Sequence, residues 1–243
     1  MVNVVAKVLI TGSGKRLGKG LALKFAEKKW DVAIHYNNSE ESAKNFELKL
    51  SKMGIKTILL KADLQNFDEI RNMFDQLREN AWIPDVLINN AGVFPTKSSI
   101  AELSSNTWDD VMDINLKATF LTSKLFAEIS KENSKIINIA SIGGIEVWDK
   151  RIPYNVSKAG LIKLTEVLAR ELSPKICVNC ISPGTLLIEN EPASEKLISI
   201  EKIPALRYGT IDDIFEAVWF FSNCGNYITG NNLVVDGAYR FSR

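Results

Sequence analysis

The chain has 243 residues, 46% hydrophobic and 24% charged, enough for one α/β domain with a large core. Its 30 basic and 29 acidic side chains leave a formal charge of +1, which gives no electrostatic case for nucleic acid or an anionic membrane as partner. With His35 the only histidine, a two-histidine metal site is excluded and no metal centre is expected.

Short apolar, β-branched runs predict strands at residues 7–11, 31–36, 55–61, 86–89, 135–140, 176–182 and 232–235. Segments of helical period predict helices at 17–28, 39–53, 67–80, 107–130, 153–172 and 211–222. Strands separated by helices imply βαβ units, right-handed crossovers and a parallel sheet covered on both faces, a doubly wound α/β fold. No Pro/Gly/Ser-rich linker divides the chain, so residues 1–243 are expected to form one domain. The apolar run at 2–10, broken by Asn3 and Lys7, is far too short to span a bilayer. It lacks a charged start and a small-residue cleavage site, so a cytoplasmic protein is expected.

The first strand runs into Thr11-Gly12-Ser13-Gly14-Lys15-Arg16-Leu17-Gly18, and a helix follows. Glycines there let the backbone turn sharply and approach a pyrophosphate resting on the helix N-terminus. An ordinary βα turn would also use them. At the end of the second strand, His35-Tyr36-Asn37-Asn38-Ser39 carries no acid to bind a ribose 2′-hydroxyl. Lys15 and Arg16 in the facing loop can pair with a 2′-phosphate, joined by Asn38 and Ser39 as neutral donors. NADP(H) is therefore expected ahead of NAD(H).

Asp63, after the third strand, can accept from an adenine amino group. Asn90-Ala91-Gly92, after the fourth, suits close backbone packing beside the adenosine. Both lie at carboxyl ends of parallel strands, where such sheets bind ligands, although plain turn chemistry explains either alone.

In the predicted helix at 153–172, Tyr154 and Lys158 are four residues apart and share a face. A free phenol titrates near pH ~10, and a neighbouring cation lowers that value toward the working range of a proton donor. Ser141, thirteen residues upstream of Tyr154, can bind the oxygen that gains the proton. Without other motifs, a packed tyrosine and a solvated lysine would read the same way. Cys177-Val178-Asn179-Cys180 has CxxC spacing, but on a strand residues three apart point to opposite faces, so no disulfide is expected.

Glycine loop, Asn-Asn-Ala-Gly, Ser141, Tyr154-x3-Lys158 and Ser182-Pro183-Gly184, in this order, resemble the short-chain dehydrogenase/reductase family. The resemblance extends to Tyr227-Ile228-Thr229-Gly230 and Val235-Asp236-Gly237. It implies a Rossmann-like three-layer sandwich around a seven-stranded sheet and a catalytic set of Asn115, Ser141, Tyr154 and Lys158. In that family the tyrosine is the general acid or base. The lysine lowers its pKa and holds the nicotinamide ribose, and the serine orients the substrate oxygen. The asparagine, here in Asp113-Ile114-Asn115-Leu116, anchors a water that connects the lysine to solvent. The resemblance also implies cofactor contacts at Leu17, Leu64, Pro183, Gly184 and Thr185.

Arg16 stands where the loop usually has its second glycine. The resulting Lys-Arg-Leu-Gly, with His35-Tyr36 and the ending Ala238-Tyr239-Arg240-Phe241-Ser242-Arg243, is similar to pteridine reductases. Those typically carry aspartate at the position of Ser141. A hydroxyl suits a carbonyl oxygen, as in 3-oxoacyl-(acyl-carrier-protein) reductases. A small-molecule ketone or 3-oxoacyl thioester is expected as substrate. Pterin or imine reduction is the alternative, and a non-catalytic NADP(H)-sensing module is a third reading.

Substrate choice should reside in residues 142–152 and in the irregular stretch at 185–208, whose length suits a functional lid or a disordered segment. Trp148, Ile145 and Leu186 there line a pocket or belong to the core. Glu189, Glu191, Glu195 and Glu201 against Lys196 and Lys202 make a poor landing surface for an acidic carrier protein, leaving Arg170 and Lys175 as basic contacts elsewhere. A homotetramer, or at least a dimer, is expected as well. Phe120, Leu125, Phe126, Leu161, Leu164 and Leu168 are candidates for its helix–helix interface, some of them necessarily facing the sheet.

Overall fold

Strand β1, Lys7–Ile10, divides its side chains between two cores. Val8 and Ile10 enter one apolar cluster and Leu9 enters the other, as the two-residue period of a strand requires. A computed structural model describes residues 5–188 and 198–242. The other strands are β2 (Asp31–Tyr36), β3 (Thr57–Lys61), β4 (Val86–Asn89), β5 (Ser134–Ile139), β6 (Ile176–Pro183) and β7 (Asn232–Val235). They form one parallel sheet in the order β3-β2-β1-β4-β5-β6-β7. The order reverses between β1 and β4, which opens a crevice at the carboxyl ends of those strands.

Helices α1 (Arg16–Glu27), α2 (Glu40–Lys52) and α7 (Ile211–Asn223) cover one face, burying Leu21, Phe25, Phe46, Phe215 and Phe221. Helices α3 (Phe67–Glu79), α5 (Ala118–Ile129) and α6 (Ile152–Leu172) cover the other through Ile70, Phe74, Phe126 and Leu168. Asn66 starts α3 by accepting from the amides of Asp68 and Glu69. Thr210 and Asp213 form a capping box on α7, and Arg207 grips the Asp213 carboxylate through both guanidinium nitrogens.

The predicted helix at 107–130 is in fact three pieces. Helix α4 (Ser105–Met112) passes into a π turn, Asp113–Lys117, before α5 begins. An inserted residue of this kind re-aims a helix and often marks a functional position. The third strand begins at Thr57 rather than at residue 55, an ordinary boundary shift.

Cys177 and Cys180 point apart on β6 and both are free. Cys177 meets Lys135 and Asn226, while Cys180 joins Ala140 and Leu161 beneath α6. Of the predicted interface residues, Leu125, Phe126, Leu161 and Leu168 are core, because the π turn and the sheet fix which way these helices face. Phe120 alone of the six is exposed, at 44%, with Leu164 half-buried. Within 185–208, Leu186 forms a lone parallel bridge with Gly209 and packs on the core, and Glu201 and Lys202 lie in a short 3-10 turn. Glu189, Glu191, Glu195, Lys196 and Arg243 lie outside the described residues.

Candidate active site

The carboxyl ends of β1, β4, β5 and β6 bring the expected site residues to one edge of the sheet. Thr11 ties the first two together. Its hydroxyl accepts from the amides of Asn90 and Ala91 at 2.9 and 3.0 Å, and the Asn90 side chain donates back to the Thr11 carbonyl at 2.8 Å. The glycine loop therefore sits directly against Asn90-Ala91-Gly92. Gly12 has φ +67°, and a Cβ on it would lie 3.1 Å from Ala91 Cα. A Cβ on Gly18 would come within 2.5 Å of the Asn90 amide nitrogen and the Gly12 carbonyl. Only glycine fits such contacts, and they leave the backbone open for a pyrophosphate at the start of α1.

Arg16 occupies the left-handed region at φ +51°, where a side chain costs about 1–2 kcal/mol that glycine would not incur. The opposite wall is the start of α2. Ser42 donates to the Gly14 carbonyl at 2.8 Å, and a Cβ on Gly14 would strike the Ser39 hydroxyl at 2.5 Å. Lys15, Arg16 and Asn38 are exposed around this seam. Asp63 accepts from the Gln65 amide through one carboxylate oxygen, and Leu64 is buried beside it. At the end of β6, the Gly184 amide donates to Val235, and the Thr185 carbonyl accepts from Gly209.

Asn115, in the π turn, is fully buried. Its side chain accepts from the Val93 amide at 2.8 Å and donates to the Val93 carbonyl and the Ser157 hydroxyl. Gly92 runs beside it, since a Cβ there would meet Asn115 Oδ1 at 3.1 Å and Lys158 Nζ at 3.6 Å. The Lys158 ammonium donates to the Ile139 carbonyl at 2.9 Å and lies 5.9 Å from the Tyr154 ring centre. Burial pushes Lys158 down to about 8.

Ser141 hydrogen-bonds to the Tyr154 phenol and also accepts from the Gly143 amide at 3.1 Å. Proximity to a lysine predicts a lowered phenol pKa, but in the structure it is raised. Burial dominates, opposed by the Ser141 hydrogen bond and by the positive charge of Arg151. A phenol kept protonated in this way, beside a second hydroxyl and in front of a cation, can deliver a proton to an oxygen that is gaining negative charge.

Trp148 stacks on Tyr154 with ring centres 5.8 Å apart and planes 11° apart, while Ile145 is 42% exposed nearby. Three neighbours carry no obvious sequence signal. Phe94 meets Tyr154 edge-on at 4.6 Å, and Asn155 donates to the Trp148 carbonyl. Arg151 is buried although Lys150-Arg151 reads as a solvated basic pair. An aromatic two residues beyond Asn-Asn-Ala-Gly was the one legible hint for Phe94.

The fold and site define a dinucleotide-binding oxidoreductase with a tyrosine–lysine pair. Comparison with known proteins agrees. Residues 12–240 match the family described as enoyl-(acyl carrier protein) reductase. The chain is 33% identical over 237 residues to the 3-oxoacyl-(acyl-carrier-protein) reductase FabG of Staphylococcus epidermidis, covering 94% of this chain and 96% of that one. Glucose 1-dehydrogenase 2 of Bacillus subtilis is 31% identical, with 94% and 92% covered. A short-chain dehydrogenase from Burkholderia cenocepacia, crystallised with NADP, superposes with a TM-score of 0.89 at 30% identity, over 97% and 98% of the two chains. The chain belongs to the short-chain dehydrogenase/reductase family.

Proposed function

We propose that this protein reduces a ketone or 3-oxoacyl thioester to the alcohol with NADPH, Tyr154 acting as general acid. The observation that carries this reading is the Ser141–Tyr154 hydrogen bond beside buried Lys158, which sets two hydroxyls side by side next to a cation. Bound there, the nicotinamide would supply a hydride to the carbonyl carbon. Ser141 and Tyr154 would hold the carbonyl oxygen, Tyr154 would release its proton to it, and the Lys158 charge would favour the phenolate that remains. Asn115 would hold the Gly92–Val93 backbone against the lysine and keep a proton route open.

Gly12, Gly14, Leu17 and Gly18 would carry the pyrophosphate, and Lys15, Arg16, Asn38 and Ser39 the 2′-phosphate. Asp63, Leu64, Asn90, Ala91 and Gly92 would flank the adenosine, and Pro183, Gly184 and Thr185 the nicotinamide end. NADP-bound relatives at 26–30% identity support the cofactor choice. NAD(H) is the second choice.

Residues 1–243 are taken as one domain, because all seven strands share a sheet. No helix among the described residues is long and apolar enough to cross a membrane. A second copy of this chain is the partner proposed for α5 and α6. Between them lies an open groove of about 520 Å³ lined by Leu116, Phe120, Leu164 and Val167.

Pterin reduction is suggested by Arg16 in the Lys-Arg-Leu-Gly of the glycine loop, and it enters the test as a competing arm. The test follows oxidation of NADPH and NADH with acetoacetyl thioesters, simple ketones, sugars, an enoyl thioester and dihydropterins. Ketone or 3-oxoacyl turnover with NADPH supports the proposal. Turnover confined to dihydropterin or to the enoyl double bond overturns it, and no turnover with intact NADPH binding returns the sensing module.

A further inference from the structure

Arg151 is only 1% exposed, and its guanidinium carbon lies 4.0 Å from the centre of the Phe94 ring. A guanidinium so placed acts on nearby groups with little screening by water. Phe94 is also the ring that meets Tyr154 edge-on at 4.6 Å, and Trp148 stacks on the phenol while meeting Phe94 at 6.1 Å. Cation, ring and phenol thus form a chain of contacts, with the guanidinium on the face of one aromatic and the edge of that pair on the next. Arg151 also begins α6, its carbonyl accepting from the Asn155 amide at 2.9 Å, so its backbone is fixed relative to Tyr154 three residues on.

The charged and titratable groups facing Tyr154 come from each element packed around it. Lys158 lies on the same helix, bonded to Ile139 of β5 rather than to the phenol. Ser141 approaches from the end of β5, and Cys180 on β6 acts on Lys158. Arg151 is the cation whose field opposes the effect of burial on the phenol.

We propose that Arg151 is a positioning residue for Tyr154, a buried guanidinium seated on Phe94 that holds the phenol ring and supplies positive field at its oxygen. Lys158 then remains available to the cofactor ribose, and the work assigned to one lysine is divided between two cations. This rests on the reading of Tyr154 as proton donor, but it can be tested without turnover.

The test is an ultraviolet pH titration of the phenols in the apoprotein. The chain has five tyrosines, so subtracting the same titration of Tyr154→Phe isolates the one of interest. Arg151→Met should move that ionisation upward by about one pH unit or more, the effect of losing an opposite charge at close range, while Arg151→Lys should restore most of it. The basic limb of the pH profile for kcat in ketone reduction, where Tyr154 must be protonated, should move with it. Coincident titrations of parent and Arg151→Met overturn the proposal. So does an equal shift in Arg151→Met and Arg151→Lys, which would assign the effect to packing. Should Arg151→Met fail to fold, Phe94→Leu decides. It removes the ring under the charge, and a smaller upward shift is expected; no shift overturns the proposal. Failure of the substrate panel would leave the phenol titration readable, so the two readings fail separately.

Discussion

The amide of Gly12 donates to Nδ1 of His35 at 2.8 Å, so the only histidine of the chain braces the turn of the glycine loop. With Nδ1 accepting, Nε2 carries the proton and donates to the Ala62 carbonyl at 3.1 Å. The imidazole thus links the ends of β1, β2 and β3 and is buried in its neutral form. Burial pushes it down to about 4, against the Ala62 carbonyl and Asp63, which favour the cation.

The sign of the pH effect follows. Between about pH 4 and 6.5 the unfolded chain binds a proton at His35 that the folded chain does not, so stability rises with pH across that window. The full contribution is present above pH ~6.5 and is lost as pH falls toward the folded value. At most it is on the order of 3 kcal/mol. Urea unfolding at pH 7.5 and pH 5 should show a marked loss at the lower pH for the parent and a flatter response for His35→Gln. Parallel curves would remove His35 from the account.

Arg16 ties cofactor choice to backbone strain. Arg16→Gly should lower the NADPH over NADH ratio of catalytic efficiency, and added salt should erode the parent's ratio in the same direction. Glycine is at home at φ +51°, so the melting temperature should stay level or rise. A ratio unchanged by the substitution removes Arg16 from the phosphate site.

Ser141 separates the two reductase readings. Ser141→Ala removes one of two donors to the developing oxyanion and should cost about a hundredfold or more in ketone turnover, with NADPH affinity little changed. Ser141→Asp should also impair ketone reduction, because an ionised acid repels that oxygen. If dihydropterin turnover instead survives or improves in the aspartate variant while ketones stay inert, the pterin reading stands.

Phe120 tests the assembly. It is 44% exposed in a groove that also exposes Val167 at 49%, an apolar strip well suited to a second copy. Light scattering of the parent at micromolar concentration should give a dimer or tetramer, and Phe120→Asp should shift the mass downward without unfolding the monomer. A monomeric parent ends the idea.

The strand pattern was legible because every strand of a covered parallel sheet is an apolar run, and each of the seven was visible as such. Tyr154, Lys158 and Ser141 were legible through spacing, since helical period and strand ends place them without tertiary knowledge. The π turn was not, because one residue inserted in a helix leaves the apolar period nearly intact. Nor was the depth of Arg151, since next to Lys150 it reads as solvated, whereas the structure seats its guanidinium on the ring of Phe94. The direction of the Tyr154 shift was missed for a related reason. Spacing shows that a lysine is near, but not that its ammonium is turned to Ile139 or that the phenol is out of water.

The five residues of the π turn at Asp113–Lys117 rotate the chain by about as much as four residues of an α-helix would, so α5 is placed as though the chain were one residue shorter. Deleting one residue within the turn would therefore restore a plain helix and leave Thr122, which donates to Asn89, and Phe126, in the core, facing inward, while the bulge that carries Asn115 would be lost. Deleting one residue inside α5 has no such outlet: everything beyond it would turn by about 100° around the axis, trading inside for outside as a strand slip does in a sheet. Loops elsewhere can lengthen or shorten at small entropic cost, and this turn is a joint of that kind set within a helix.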